Sequence, residues 1–110
     1  MVRLSSVVVH VSDIDGAVDF WSTVLQGQFK LVHRDDNSAT FHPRDGGIGV
    51  VLNQNDQTHF DLDTGPCPGA DAHAAEVQRL VGLGAERVEW KHRPEVVVLA
   101  DPSGLRFCVC

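Results

Sequence analysis

Along this chain, a short apolar run typical of a strand is followed by apolar residues at the spacing of one helical face, and this order occurs twice. Residues 4–11 form an apolar run dense in β-branched side chains, which predicts a buried strand. Ser12 or Asp13 can cap the helix that follows, and Gly27 ends it. The apolar face of this helix is predicted to comprise Ile14, Ala17, Val18, Trp21 and Leu25.

The second half of the chain repeats this order of strand, helix and stop. Residues 59–63 alternate polar and apolar side chains and predict a strand, and residues 65–69 form a Gly/Pro loop. A helix is predicted over about 70–83, with Gly82 and Gly84 at its end. Its buried face is predicted to comprise Ala74, Val77, Leu80 and Val81.

Three short β-type runs follow each helix. In the first half these are FKLVH (29–33), SATFH (38–42) and IGVVL (48–52), and in the second half RVEW (87–90), VVVLA (96–100) and RFCVC (106–110). Turn-forming residues at 35–37, 45–47 and 101–104 separate consecutive runs. We therefore predict an α+β fold of two βαβββ modules, which form a cup-shaped mixed β-sheet with the helices on its outer face.

Length and composition indicate a single domain made of modules 1–53 and 58–110. With 110 residues, of which 43% are hydrophobic, the chain can build one core and has no room for a second domain. The short stretch between the modules is the candidate linker. Because it is short, the modules should pack as one body or exchange partners between two chains, and we expect a homodimer.

Charge and cysteine content narrow the possible partners and the compartment. Fifteen acidic against nine basic residues give a net charge of −6, which argues against nucleic-acid or anionic-membrane partners. No apolar run approaches the roughly 20 residues needed to span a bilayer, and the N-terminus lacks a secretory apolar core. Free thiols at Cys67, Cys108 and Cys110 fit a reducing cytoplasm, where we expect the protein.

Alternation along the strands assigns side chains to the two faces of the sheet. Facing the helices we place Val7, Val9, Val11, Phe60, Leu62, Phe107 and Val109. Facing the cup we place Ser6, Val8, His10, His59, Asp61, Asp63, Arg106, Cys108 and Cys110. The predicted lining mixes imidazole, carboxylate, guanidinium and thiol groups with aliphatic walls, which is typical of a small-molecule pocket.

The whole chain resembles the vicinal-oxygen-chelate superfamily, which includes glyoxalase I, extradiol dioxygenases and bleomycin-resistance proteins. Residues 7–27, VVVHVSDIDGAVDFWSTVLQG, are similar to that family's opening strand, cap and helix. Residues 59–64, HFDLDT, resemble its second opening strand, and residues 99–110, LADPSGLRFCVC, resemble its closing hairpin and last strand. The Phe-Cys-Val ending most resembles the short glyoxalase-like subgroup.

The resemblance implies a divalent-metal site whose usual ligands are largely replaced here. It places the ligand of the first opening strand at Ser6, that of the second at His59, and the closing-strand glutamate at Cys108. The IGVVL strand, which should carry a further ligand, has no carboxylate. Because about three protein ligands are needed to hold a divalent ion, we expect no metal cofactor and keep His59 as the candidate ligand if one binds.

Several candidate residues keep two interpretations. His59 can contact a ligand or a metal, or simply hydrogen-bond Asp61 or a neighbouring strand, and His10 can be a ligand contact or an interior histidine with satisfied hydrogen bonds. Arg106 can form an ion pair with Asp61 or anchor an anionic ligand. Trp90 can be a rim aromatic that stacks on a planar ligand, or part of the core or a dimer contact, and Cys108 can be a small apolar filler.

We therefore predict a metal-independent protein that binds or sequesters a small molecule. Its predicted ligand-binding residues are Ser6, Val8, His10, His59, Asp61, Trp90, Arg106 and Cys108. The alternative is a metal-dependent lyase or isomerase of glyoxalase type that uses His59. A third possibility is a domain whose cup is filled by side chains and which acts only through protein partners.

Overall fold

The described residues form two compact units. The structure is a computed structural model that describes residues 2–64, 70–90 and 96–110. The first half is Ser5–Thr58, and the second half is His59–Cys110 together with the first residues of the chain as far as Leu4. Across the described residues each half has one helix and four strands, which confirms the α+β class and the βαβββ order. The cup between the halves stays a prediction.

The first half places its helix against a mixed sheet. Its elements are β1 (Arg3–His10), of which residues 5–10 belong to this half, α1 (Ile14–Val24), β2 (Phe29–Arg34), β3 (Ser38–Pro43) and β4 (Gly49–Asn53). The strands are ordered β2–β3–β4–β1, and β1 is parallel to β4 while the other pairs are antiparallel. The buried core comprises Ile14, Val18, Ala39, Phe41 and Leu52. Val9 and Val11 pack against it, which confirms the face assigned to them.

Helix α1 begins as predicted but ends earlier. Asp13 is the N-cap, and its carboxylate accepts a hydrogen bond from the Gly16 N–H at 3.3 Å. The helix ends at Val24, so the predicted stop at Gly27 is wrong. Gly27 does not have the left-handed backbone that a glycine cap adopts. It therefore belongs to the turn after the helix and does not cap it.

The apolar face of α1 is buried only along its first part. Ile14 and Val18 are buried, but Trp21 is 38% exposed, so the prediction that it belongs to the core is wrong. The reason is incomplete packing beneath the end of the helix, where the structure has an apolar cavity of about 220 Å³. This cavity is lined by Val9, Trp21, Leu25, Phe41, Val50 and Leu52.

The second half repeats the arrangement with a longer helix. Its elements are β5 (His59–Asp63), α2 (Ala70–Gly82), β6 (Glu86–Arg87), β7 (Val97–Ala100) and β8 (Arg106–Val109). The strands are ordered β5–β8–β7–β6, with β5 parallel to β8 and the other pairs antiparallel. Val77, Leu99 and Val109 form the buried core, and Phe107 packs against it, which confirms the helix-side face of β8.

The end of α2 confirms the two-glycine stop signal. Gly84 has a left-handed backbone with φ 117°, which a glycine adopts without strain. The Gly84 N–H donates to the Val81 carbonyl, and the Ala85 N–H donates to the Leu80 carbonyl at 3.1 Å. This pair of bonds is a Schellman motif, which satisfies carbonyl groups at the helix end.

Two details of the second half differ from the sequence prediction. Ala74 and Val81 are exposed, so the buried face of α2 is narrower than predicted and contains Val77 and the half-buried Leu80. The run predicted as a strand at 87–90 pairs with β7 only at Glu86 and Arg87, and one further N–H bond joins Val88 to Val98. The loop at 65–69, which contains Cys67, lies outside the described residues.

The turn between β2 and β3 supplies a pH-dependent contribution to stability. The Asp35 carboxylate accepts hydrogen bonds from the N–H groups of Asn37 and Ser38 at 2.9 and 2.8 Å, and from the Ser38 hydroxyl at 2.9 Å. These bonds lower the pKa of Asp35 from 3.8 to about 2, and the bond from the Asn37 N–H makes the largest contribution. The charged form is therefore the one that the folded turn stabilises.

Replacing Asp35 by asparagine is expected to reduce the acid sensitivity of folding. Because the folded-state pKa lies below the unfolded one, the contribution is complete above about pH 4 and is lost as the pH falls towards 2. Urea unfolding of the wild type at pH 5 and pH 2 should show a larger loss of stability than Asp35→Asn shows. Asp36→Asn, in the same turn, is the control and should behave like the wild type. Equal losses in all three proteins would contradict this assignment.

Neither of the described helices has the length and apolar character needed to cross a membrane.

Candidate functional site

Two parallel strands of the second half bring chemically active side chains to one face of their sheet. His59 and Asp61 are two residues apart on β5, and Asp61 is directly opposite Cys108 on β8. Arg106 is two residues before Cys108 on the same strand. Because side chains alternate along a strand, all four lie on the face opposite Phe107 and Val109, as predicted.

A buried imidazole and a carboxylate form the centre of this group. His59 is fully buried, and its Nε2 lies 3.2 Å from the Asp61 Oδ1. This is an ion-pair distance, and the interpretation that His59 hydrogen-bonds Asp61 stays a prediction. The Asp61 side chain is 19% exposed while Cys108 is fully buried, so Asp61 is the more accessible of the two residues.

An indole ring and a guanidinium group continue the site. The Trp90 ring meets the His59 ring edge to face, with centroids 4.9 Å apart. The Arg106 guanidinium carbon lies 5.3 Å from the Trp90 ring centroid, a cation–π contact. Trp90 is only 6% exposed and packs with Val98 and Cys108, which favours the core interpretation over the rim. We call His59, Asp61, Trp90, Arg106 and Cys108 the second-half cluster.

The donor atoms of this cluster are of the types that bind zinc, and they lie near one another. One ligand atom each from His59, Asp61 and Cys108 lie within 4.8 Å of one another. Around a tetrahedral zinc ion with bonds of about 2.0–2.3 Å, donor atoms are roughly 3.3–3.7 Å apart, and the His59–Asp61 separation is close to that range. Imidazole, carboxylate and thiolate are also the ligand types that zinc accepts, whereas magnesium and calcium prefer oxygen.

The three residues of the first half that were predicted to bind a ligand differ from one another in exposure. Val8 is buried, Ser6 is half-buried and His10 is exposed. His10 lies at the end of β1, where its Nδ1 is 3.0 Å from the Asp56 carbonyl and its N–H donates to the Thr58 hydroxyl at 2.9 Å. The interpretation of His10 as an interior histidine is therefore wrong. The place of these three residues in a ligand site stays a prediction.

Asp61 is a candidate metal ligand that the resemblance does not indicate. The resemblance pointed to Ser6, His59 and Cys108, whereas the structure groups Asp61 with His59 and Cys108. The spacing His-x-Asp on a single strand was the available signal, because it places an imidazole and a carboxylate on the same face. The contact between Trp90 and Arg106 had no comparable signal, since Trp90 lies beyond the end of β6.

A family model for the glyoxalase-like domain matches residues 6–110 of this chain. The chain belongs to the glyoxalase-like domain family. This confirms the resemblance found in the sequence, and the family's repeated βαβββ order is the one described above. No curated protein sequence matches the chain.

Solved structures of this superfamily share the fold of this glyoxalase-like protein. A methylmalonyl-CoA epimerase from Mycobacterium tuberculosis is 15% identical, with a TM-score of 0.64 over 96% of this chain and 85% of its own. A glyoxalase/bleomycin resistance protein/dioxygenase superfamily member from Vibrio splendidus 12B01 is 16% identical, with a TM-score of 0.59 over 100% of both chains.

A further similar structure is described as an NAD-dependent benzaldehyde dehydrogenase from Legionella pneumophila. It is 10% identical, with a TM-score of 0.70 over 94% of this chain and 95% of its own. At identities this low the three likenesses establish the fold, and the function has to be argued from the site.

Proposed function

We propose that this glyoxalase-like protein binds a small organic molecule at the second-half cluster and needs no metal ion to do so. The contact between His59 and Asp61 carries the proposal, because a proton on the imidazole Nε2 can hold it to the carboxylate at 3.2 Å without an ion between them. The guanidinium of Arg106 adds a fixed positive charge beside Trp90, which opposes a second cation nearby.

The composition of the cluster supports recognition of an organic ligand. Trp90 supplies a large aromatic surface, and Arg106 and Asp61 supply charges of opposite sign. Since Asp61 is the solvent-accessible member of the His59–Asp61–Cys108 group, a ligand would approach the cluster from that side. The sequence position that the resemblance assigns to a first-half metal ligand holds Ser6, whose hydroxyl is a weak ligand for a divalent ion.

The second candidate is a metal-dependent lyase or isomerase of glyoxalase type. One observation favours it, namely the three donor atoms of His59, Asp61 and Cys108 within 4.8 Å of one another. A zinc ion held by these residues would supply Lewis-acid polarisation of a substrate oxygen. In that case His59 and Asp61 would act as ligands and Arg106 would orient a substrate carboxylate.

Ligand binding in the presence of a chelator tests the proposal. Protein stripped with EDTA would be screened by thermal shift against a fragment set of small aromatic acids, amides and alcohols. A fragment at ten times its Kd is expected to raise Tm by roughly 5 °C, because it binds the folded form alone.

The variants Cys108→Ser and Cys110→Ser form the matched pair for this screen, since the first thiol is buried and the second exposed. Metal-free binding predicts that the fragment still stabilises both variants in EDTA. Stabilisation that returns only when zinc is added, and only while Cys108 is present, would favour the metal-dependent enzyme.

A further inference from the structure

We infer that the ligand of this site carries a carboxylate and that the indole N–H of Trp90 donates a hydrogen bond to it. This inference rests on the proposed binding function and names its ligand class. It starts from a buried donor: the Trp90 Nε1 is buried and finds no hydrogen-bond acceptor among the described residues.

A buried indole N–H without an acceptor requires an explanation. Indole is a donor only, so no rotation or change of protonation can satisfy it. The great majority of buried polar groups in folded proteins have a partner, and losing the hydration of such a donor without compensation disfavours the folded state. A ligand oxygen that accepts this hydrogen bond removes the deficit when it binds.

The charges around Trp90 select the type of oxygen. Arg106 places its guanidinium 5.3 Å from the indole ring centroid, so a ligand bound at Nε1 lies close to a permanent positive charge. The carboxylate of Asp61 faces the His59 imidazole, whose Nε2 lies 3.2 Å from the Asp61 Oδ1. A donor beside a cation favours an anionic acceptor over a neutral amide, because charge-assisted hydrogen bonds are the stronger ones.

Benzoate and benzamide are the matched probes for this inference, since they differ in the charge of the accepting group. Titration of the wild type in EDTA by calorimetry should give a Kd for benzoate at least about tenfold below that for benzamide. Trp90→Phe keeps an aromatic ring and removes the N–H, and we expect it to lose about tenfold in benzoate affinity. Trp21→Phe, at the exposed tryptophan of the first half, is the control and should bind like the wild type.

Nuclear magnetic resonance gives a second readout on the wild-type protein, for which a variant is needed only to assign the signals. The chain has two tryptophans, so its indole N–H spectrum has two signals, which Trp21→Phe assigns. Benzoate is expected to move the Trp90 signal downfield and to leave the Trp21 signal unchanged.

Three outcomes decide between this inference and the binding function itself. Benzoate binding that leaves the Trp90 signal unmoved and survives Trp90→Phe would overturn the inference while the binding function stands. Equal affinity for benzoate and benzamide would do the same. If no fragment of the wider screen binds the chelated protein, the binding function itself fails.

Discussion

Phe41→Ala is expected to lower the free energy of unfolding by about 3–5 kcal/mol. Phe41 is 1% exposed and belongs to the buried first-half core together with Ile14, Val18 and Leu52. Its removal would also enlarge the cavity of about 220 Å³ that it already borders beneath α1. Because the new space would join that cavity, the unfilled volume in the variant would exceed that left by the deleted ring alone.

Phe20→Ala is the matched control, since it deletes the same side chain from a position that is 59% exposed. Its unfolding free energy should stay within about 1 kcal/mol of the wild type. Guanidinium denaturation of the three proteins, with fitted m-values, measures both differences. Similar losses in the two variants would show that the buried face of α1 is misassigned.

His59→Ala is expected to cost about 3–5 kcal/mol of stability and to abolish fragment binding. The substitution leaves the Asp61 carboxylate in a largely buried position without the imidazole that it contacts at 3.2 Å. It also removes the ring that packs against Trp90, so the indole loses its edge-to-face neighbour. Both effects act on the same cluster, and binding should therefore fall together with stability.

The first half offers a closely matched control. His33 and Asp35 are also two residues apart, and their contact is 3.3 Å long, but both side chains are exposed. Exposed ion pairs contribute little, so His33→Ala is expected to change stability by no more than about 1 kcal/mol. Thermal and denaturant unfolding of the two variants gives the comparison. A loss as small for His59→Ala as for His33→Ala would contradict the role assigned to burial.

Strand alternation made much of the second-half cluster predictable. A period of two places His59 with Asp61, and Arg106 with Cys108, on the same face without any knowledge of the tertiary structure. The parallel pairing of β5 with β8 then determines that Asp61 and Cys108 are neighbours. That pairing depends on contacts far apart in the sequence, which the alternation along a single strand does not determine.

Other features could not be predicted because they depend on how side chains pack. Trp21 has the helical spacing of a core residue, yet the space beneath it is not filled and the ring is partly exposed. Trp90 lies outside regular structure, where no periodicity assigns a face, and its burial follows from contacts with Val98 and Cys108. His59 can be a metal ligand or a hydrogen-bonded histidine, and the distances between its nitrogens and the neighbouring side chains decide which. Those distances cannot be read from the sequence pattern.

Membership of the family does not determine what this protein binds or catalyses, which depends on the residues of its own site. The glyoxalase-like fold supports several unrelated activities, so the position of a site in the fold does not determine what binds there. Here the deciding group is His59, which either holds Asp61 in place or shares an ion with it. In the first case the site holds no metal ion, and in the second an ion is bound by His59, Asp61 and Cys108.

The bound zinc content of the purified protein tests that distinction most directly. Wild type, Cys108→Ser and Cys110→Ser would be incubated with one equivalent of zinc, dialysed extensively, and analysed for metal by mass spectrometry. The metal-independent account predicts far less than one zinc per chain in all three proteins. One zinc per chain retained by the wild type and by Cys110→Ser, and lost from Cys108→Ser, would contradict it.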